Sequence, residues 1–212
     1  MLPEAGGDPG LSEACRLATL LCHRPMAAVE IILEDRVAIC AAAGLHAGFI
    51  PREEAMCAPL LRPYARHLTG VDLSPKMADK ARERGGYDEL VVAELTAFLR
   101  ERSRAYDLIV SADTLVYFGD LTALCAGAAG AVRPGGWLAF TVERAERETA
   151  PEGYRLNKSG RYSHTAEHLA RALVAAGFDE PSLAEVTLRQ EGDQPVLGYA
   201  VLVRQPNFVQ GG

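Results

Sequence analysis

Thr69-Gly70-Val71-Asp72-Leu73-Ser74-Pro75-Lys76-Met77 is the stretch on which the reading of this chain turns. Leu68 to Leu73 is short and apolar and is interrupted by a single acid, which predicts a strand ending at Asp72. Ser74 is a good helix N-cap, and Pro75 suits the first helical position, where its missing N–H is not needed. The helix is expected to reach Arg84 and to stop at Gly85-Gly86.

Toward the C-terminus the alternation repeats. Glu89 to Ala93 reads as a strand and Thr96 to Arg102 as a short helix. Tyr106 to Ser111 is a third strand, with the continuous apolar centre of a strand buried on both faces. An alanine-rich helix follows from Leu121 to Val132, and Pro134-Gly135-Gly136 turns into a strand from Trp137 to Val142. Thr165 to Ala176 is a helix closed by Gly177. Leu183 to Leu188 and Val196 to Val203 are joined by Gln190-Glu191-Gly192-Asp193, a turn short enough to make them antiparallel. The pattern predicts an α/β fold: Rossmann-like, doubly wound, with a mostly parallel seven-stranded sheet and an antiparallel last strand inserted beside its parallel neighbours.

Toward the N-terminus the signals are weaker. Pro59 to His67 has Leu60, Leu61 and Tyr64 at helical spacing, Gly44 to Glu54 reads as loop, and Val37 to Ala43 fits strand or helix. Pro25 fits the first turn of a helix from Met26 to about Leu33, and Ser12 the cap of one from Glu13 to about His23. We therefore divide the chain into a helical segment (1–35), the α/β domain (36–206) and a short tail (207–212).

Composition narrows the function classes. The 212 residues are 49% hydrophobic and 24% charged, an ordinary globular balance. A net charge of −6 argues against a broad nucleic-acid surface. The five cysteines form no C-x-x-C pair, which argues against a zinc ribbon or disulfide framework and for a reducing compartment; no metal site is expected. No apolar run approaches the roughly 20 residues of a membrane span, and the N-terminus has no basic leader, so the expectation is a soluble, cytoplasmic protein.

In an open parallel sheet, ligands bind beyond the carboxyl ends of the strands. That edge should carry Asp72, Glu94 and the segment from Ser111 to Tyr117. Asp72 either accepts two ribose hydroxyls or helps to cap the helix after it. Glu94 either accepts from an adenine amine, with a neighbouring N–H on a ring nitrogen, or is a solvated first-turn glutamate. Ser111 and Asp113 form a polar pair just past a buried strand, a costly position unless exposed or hydrogen-bonded. Tyr117 and Phe118 either wall a pocket or belong to the core.

Taken in order, Thr69 to Met77, Tyr106 to Phe118, Arg133-Pro-Gly-Gly-Trp-Leu, Ser159-Gly-Arg-Tyr-Ser-His-Thr and Ala175-Ala-Gly-Phe resemble the class I S-adenosylmethionine-dependent methyltransferases. The set is most similar to bacterial methyltransferase domains found with tetratricopeptide repeats, and the resemblance covers Cys57 to Arg204. It implies S-adenosyl-L-methionine as cofactor, with Asp72 and Leu73 at the ribose, Glu94 and Leu95 at adenine, and Ser111 near the methionyl moiety. It implies an acceptor side formed by Tyr117, Arg161, Tyr162 and His164. His164 is either a base or a surface histidine preceding a helix. Methyl transfer from a sulfonium needs proximity and orientation more than an acid–base dyad, so no catalytic residue is assigned. The methyl acceptor would be a small molecule or a protein side chain, with no nucleic acid or membrane partner.

One motif is missing. The family opens its sheet with an acid followed by a glycine loop, whose backbone approaches the cofactor closely. Family spacing places that loop at Phe49-Ile-Pro-Arg-Glu-Glu-Ala, which has no glycine; a second placement, Ile39 to Gly48, lacks the acid. Val37 to Met56 is therefore expected to be displaced from the sheet. Two activities stay open: a methyltransferase impaired by loss of this loop, and a catalytically inactive binding or scaffold protein with the same fold. A nicotinamide-linked oxidoreductase would miss the same loop.

Overall fold

The computed structural model describes residues 27–32, 36–43, 48–51, 61–62, 65–191 and 194–207, the first three segments as backbone only. The expected helix from Glu13 to His23, residues 59, 60, 63 and 64 of that from Pro59 to His67, and the turn residues Gly192 and Asp193 lie outside the described residues; Leu61 is helical, and residues 65–67 are not. Strands β1 (Ala27–Ile32), β2 (Arg36–Ala43) and β3 (Gly48–Pro51) form an antiparallel meander. This corrects two expectations: the helix from Met26 to Leu33 and the loop from Gly44 to Glu54. Val29, Ile31 and Ile32 favour extended backbone, and that preference outweighs the helix-start signal of Pro25. Pro51 ends β3 on the outer edge of the sheet, where a missing ladder donor is tolerated.

The central pattern is as expected. β4 (Thr69–Asp72) leads through the Ser74 cap into α1 (Pro75–Arg84), which stops at Gly85 in a left-handed conformation with φ 74°. β5 (Glu89–Val92) pairs in parallel with β4, and α2 (Leu95–Arg100) follows it. β6 (Tyr106–Ser111) is followed by a 3-10 turn (Leu115–Tyr117) and by α3 (Thr122–Ala131). β7 (Val132–Arg144) contains the Pro134-Gly135-Gly136 turn as an irregularity, because Tyr106 pairs with Val132 but Leu108 pairs with Trp137. Gly136 is required there: a Cβ would lie 2.8 Å from the Asp107 carbonyl oxygen.

A hairpin of β8 (Tyr154–Leu156) and β9 (Tyr162–His164) precedes α4 (Ala166–Ala175), and the sequence pattern had not suggested it. Its strands are three residues each, too short for alternation to register. β10 (Ser182–Glu191) and β11 (Gln194–Arg204) are antiparallel to each other, and β11 is inserted between β10 and β7 as expected.

One sheet runs β3-β2-β1-β10-β11-β7, with β6, β9 and β8 continuing from β7; β4 and β5 form a separate pair. Both sheets pack on one core that includes Phe98, Leu115, Leu124, Leu138, Phe140, Val142, Leu169, Leu173 and Val201, with Val71 and Val91 of the small sheet against it. The helical side of the core is closed by α3 against α2 and α4. Among the described residues, β4 pairs only with β5, and β6 has no strand partner but β7. No described strand stands between β4 and β6. The expectation that β6 is buried on both faces is thereby corrected: Leu108 is 43% exposed and Val110 40%. The meander that contains Val37 to Ala43 joins the far edge instead, at β10, through the parallel pair Ile32 and Arg189.

Candidate functional site

Asp72 and Val92 are paired in register at the carboxyl ends of two parallel strands, and the Ala93 N–H donates to the Asp72 carbonyl at 3.1 Å. Asp72 is exposed, and its Oδ1 accepts the Ser74 N–H at 2.8 Å. The helix-capping role is therefore real, and it uses one carboxylate oxygen among the described contacts. Glu94 follows β5 and caps α2, with Oε1 accepting from Thr96 N–H at 2.8 Å and Oε2 from Ala97 N–H at 2.7 Å. Desolvation is the largest single influence and pushes its carboxyl up, but the Thr96 and Ala97 hydrogen bonds together outweigh it and hold the group below the usual carboxylate range. Leu73 is 71% exposed beside Asp72, whereas Leu95 packs against the core.

Ser111 is half-buried at the carboxyl end of β6, opposite Phe140. The chain then turns sharply. Asp113 takes a left-handed φ of 52°, and its N–H donates to Thr141 Oγ1 at 3.1 Å. The Asp113 carboxylate meets Arg189 at 3.4 Å and Arg161 at 3.9 Å. Arg189 is buried and also bonds Glu143 and Glu191, while Asn157 donates to Glu143 at 3.1 Å. This ionic cluster ties together the carboxyl ends of β6, β7 and β10. Its members come from distant parts of the chain, and an isolated charge in a strand carries no signal of its partner.

The expected acceptor-side residues converge on the loop after β6. Tyr117 is 61% exposed at the end of the 3-10 turn. Two residues on, Gly119 is packed so closely that a Cβ would lie 3.0 Å from the Tyr162 ring and 3.1 Å from the Tyr154 ring. His164 donates from Nε2 to the Gly119 carbonyl at 2.9 Å. The surface reading of His164 is corrected, since the residue is 0% exposed. It sits at the end of β9, inside the cap of α4, and burial pushes its pKa down to about 4. Sequence reasoning missed its neighbour His168, also buried, whose ring stacks 5.9 Å from that of His164. Both belong to the S-H-T-x-x-H run, but only the hairpin brings Tyr154 against them.

A cleft of about 430 Å³ lies beside these histidines, lined by Asp120, Thr122, Glu152, Tyr154, His168, Arg171, Ala172 and Ala175. It is not at the carboxyl ends of β4 and β5. Asp72 and Glu94 lie at the strand edge, not in the cleft.

Residues 53–140 match the family described as a methyltransferase domain. This segment is similar to that methyltransferase domain. The matched stretch runs from ahead of β4 to the middle of β7, and so contains Asp72, Glu94 and Ser111. No curated protein sequence matches the chain. Solved structures extend the likeness of fold over most of the chain. A protein from Methanosarcina mazei described as a SAM-dependent methyltransferase is 14% identical with a TM-score of 0.57, over 74% of this chain and 89% of its own. An S-adenosylmethionine-dependent methyltransferase from Mesorhizobium loti is 22% identical with a TM-score of 0.54, over 70% and 85%. The N-methyltransferase NodS from Bradyrhizobium japonicum, solved with S-adenosyl-L-homocysteine, is 21% identical with a TM-score of 0.52, over 74% of each chain. Among the described residues, no helix is long and apolar enough to cross a membrane.

Proposed function

We propose that the chain is an S-adenosylmethionine-dependent methyltransferase acting on a small molecule or a protein side chain. The observation that carries this reading is the register of β4 and β5, which sets Asp72 and the Glu94-Leu95 turn side by side at one strand edge. The residues present fit the adenosine half of the cofactor. Asp72 would accept the ribose hydroxyls beside Leu73, and Glu94 would accept the adenine amine beside the Leu95 N–H. Ser111, half-buried at the next carboxyl end, would meet the methionyl part. When bound, the cofactor supplies a methyl group on an electrophilic sulfonium. This chain's own residues then bind and orient the acceptor, with Tyr117, Arg161, Tyr162 and His164 on its side of the site. His164 is fully buried with its Nε2–H on the Gly119 carbonyl, so its part would be to hold the loop that carries Tyr117 rather than to take a proton from the acceptor. The net charge of −6 favours an acceptor other than nucleic acid.

A second reading, a binding protein that kept the fold without turnover, is favoured by one specific observation. Among the described residues, no strand pairs with β4 or β6 on their facing edges, so the described residues add no strand-end turn whose backbone donors would close on the methionyl half. Incubation with methyl-labelled S-adenosylmethionine and panels of amines, phenols and polypeptides separates the two. Label transfer that disappears in Asp72→Ala supports the enzyme. Binding of the cofactor without transfer to any class supports the second reading.

A further inference from the structure

A β-bulge turns one arginine toward the loop that leaves Ser111. In the ladder of β10 with β11, Thr187 pairs with Leu197 and Arg189 with Val196, so Leu188 is the extra residue. Without it Arg189 would point to the other face of the sheet, because side chains alternate along a strand. With it, Arg189 shares a face with Val196 and Gly198, and Gly198 is paired with Glu143 of β7. Gly198 makes room for the bulge: a Cβ there would run into the Leu188 side chain and the Val142 carbonyl. Bulges that re-aim a side chain recur beside functional sites.

The re-aimed guanidinium is 7% exposed and fully engaged. Its Nε donates to Glu191 at 2.8 Å, its Nη2 to Glu143 and its Nη1 to Asp113 Oδ1 at 3.4 Å. Burial pushes its pKa down, but the bonds to Glu143 and Glu191 outweigh this and keep it charged. Each nitrogen takes a different carboxylate, and Nη1 is the one that reaches the loop after β6. There Asp113 has φ 52°, a left-handed conformation that a non-glycine residue keeps only where its surroundings fix it. Two groups from one face of the sheet do so. Thr141 Oγ1 accepts the Asp113 N–H, and Arg189 holds the carboxylate, with Arg161 at 3.9 Å. The chain then enters the 3-10 turn, where Leu115 and Val116 are buried and Tyr117 is exposed.

We propose that Arg189 is a positioning residue: aimed by the bulge at Leu188, it holds Asp113 in its left-handed turn and so fixes the path from Ser111 to Tyr117. It acts through Asp113, since its own nitrogens are taken. The functional half of this proposal, that the held loop presents Tyr117 to the acceptor, rests on the methyltransferase reading; the tether itself does not.

Amide hydrogen exchange of the full chain, read by NMR, tests the tether. The Tyr117 and Phe118 N–H groups, bonded to the Thr114 and Leu115 carbonyls at 3.1 Å each, report on the loop, and the Ala93 N–H reports on the strand edge. Asp113→Gly keeps access to the turn but loses the carboxylate. It should speed exchange at Tyr117 and Phe118 about tenfold relative to Ala93, as loss of a hydrogen bond to a charged group does. Asp113→Asn, which keeps an acceptor oxygen, should recover most of that protection. Arg189→Met should loosen the same amides with residue 113 untouched; because it strands the buried Glu143, the two Asp113 variants decide the matter if it does not fold. Equal protection in parent and variants, or a loss shared equally by Ala93, overturns the proposal. Label transfer from methyl-labelled S-adenosylmethionine to amines, phenols and polypeptides tests the functional half. In Asp113→Gly kcat/KM should fall about tenfold or more while adenosine affinity is unchanged, with recovery in Asp113→Asn. Unchanged kcat/KM beside a loosened loop overturns the positioning role. A loosened loop in the variants with no transfer by the parent supports the tether and counts against the methyltransferase reading alone.

Discussion

The two sides of β6 are a contrast within a single strand. On one side β7 pairs with it through Leu108 to Ser111, and β11 completes β7 from the other edge. Leu138 and Phe140 of β7, thus flanked, are 1% and 3% exposed. On the other side no described strand pairs with β6, and Leu108 and Val110 remain about two-fifths exposed (43% and 40%). The chemistry of these residues is the same; the difference is the neighbour. An apolar strand in a parallel sheet is buried by what lies beside and above it, so its composition alone does not ensure burial.

The largest effect should come from the closed side. Leu138→Ala removes a fully buried side chain between β6 and β11 and should cost about 2–5 kcal/mol, read as a lower midpoint in urea with unchanged slope. A loss below about 1 kcal/mol would mean that the two sides do not differ in packing.

The second test concerns His164, which the closed side buries. Its folded pKa, about 4, lies below the ordinary value of 6.5. The unfolded chain therefore binds the proton first as pH falls. Above about 6.5 the residue contributes no pH dependence, and between about 6.5 and 4 it should lower stability, by on the order of 3 kcal/mol at most. His164→Gln should flatten that part of the stability curve. An identical curve in the variant would contradict the burial.

Asp72→Ala tests the open side for function. It removes a charged acceptor from the strand end and should weaken adenosine binding by about 1.5–3 kcal/mol, while the lost bond to Ser74 lowers stability by about 1 kcal/mol. Equal affinity in parent and variant would make Asp72 a cap alone. The smallest effect belongs to Val110→Ala, expected to change stability by less than about 1 kcal/mol because the side chain is already partly in water. A cost above about 2 kcal/mol would show that the open face is covered in solution.

Local signals decided what could be read in advance. Ser74, Pro75 and Gly85 fix the ends of α1 within a few residues, and Thr165 and Gly177 do the same for α4, so the sequence locates both helices. Asp72 and Glu94 could be placed because a strand followed by a cap puts a carboxylate at the strand end whatever the rest of the chain does. The burial of His164 could not be seen, since it depends on Gly119 and Tyr154, which approach only in three dimensions. The same holds for Arg189, whose partners Glu143 and Asp113 are 46 and 76 residues away. Ala27 to Ile32 was misread because Pro25 suggested a helix start while the ladder with β2 selects extended backbone.

We propose that the Asp72 and Glu94 edge binds adenosine and that the described residues offer little to a methionyl group beyond Ser111. Calorimetry of the full chain with adenosine and with S-adenosylhomocysteine tests it most directly, because the two ligands differ only in the part at issue. The two ligands should bind within about tenfold of each other, a difference of about 1.4 kcal/mol, both more weakly than about micromolar, and both should be weakened in Asp72→Ala. Micromolar or tighter binding of S-adenosylhomocysteine, about a hundredfold or more beyond adenosine, would contradict it.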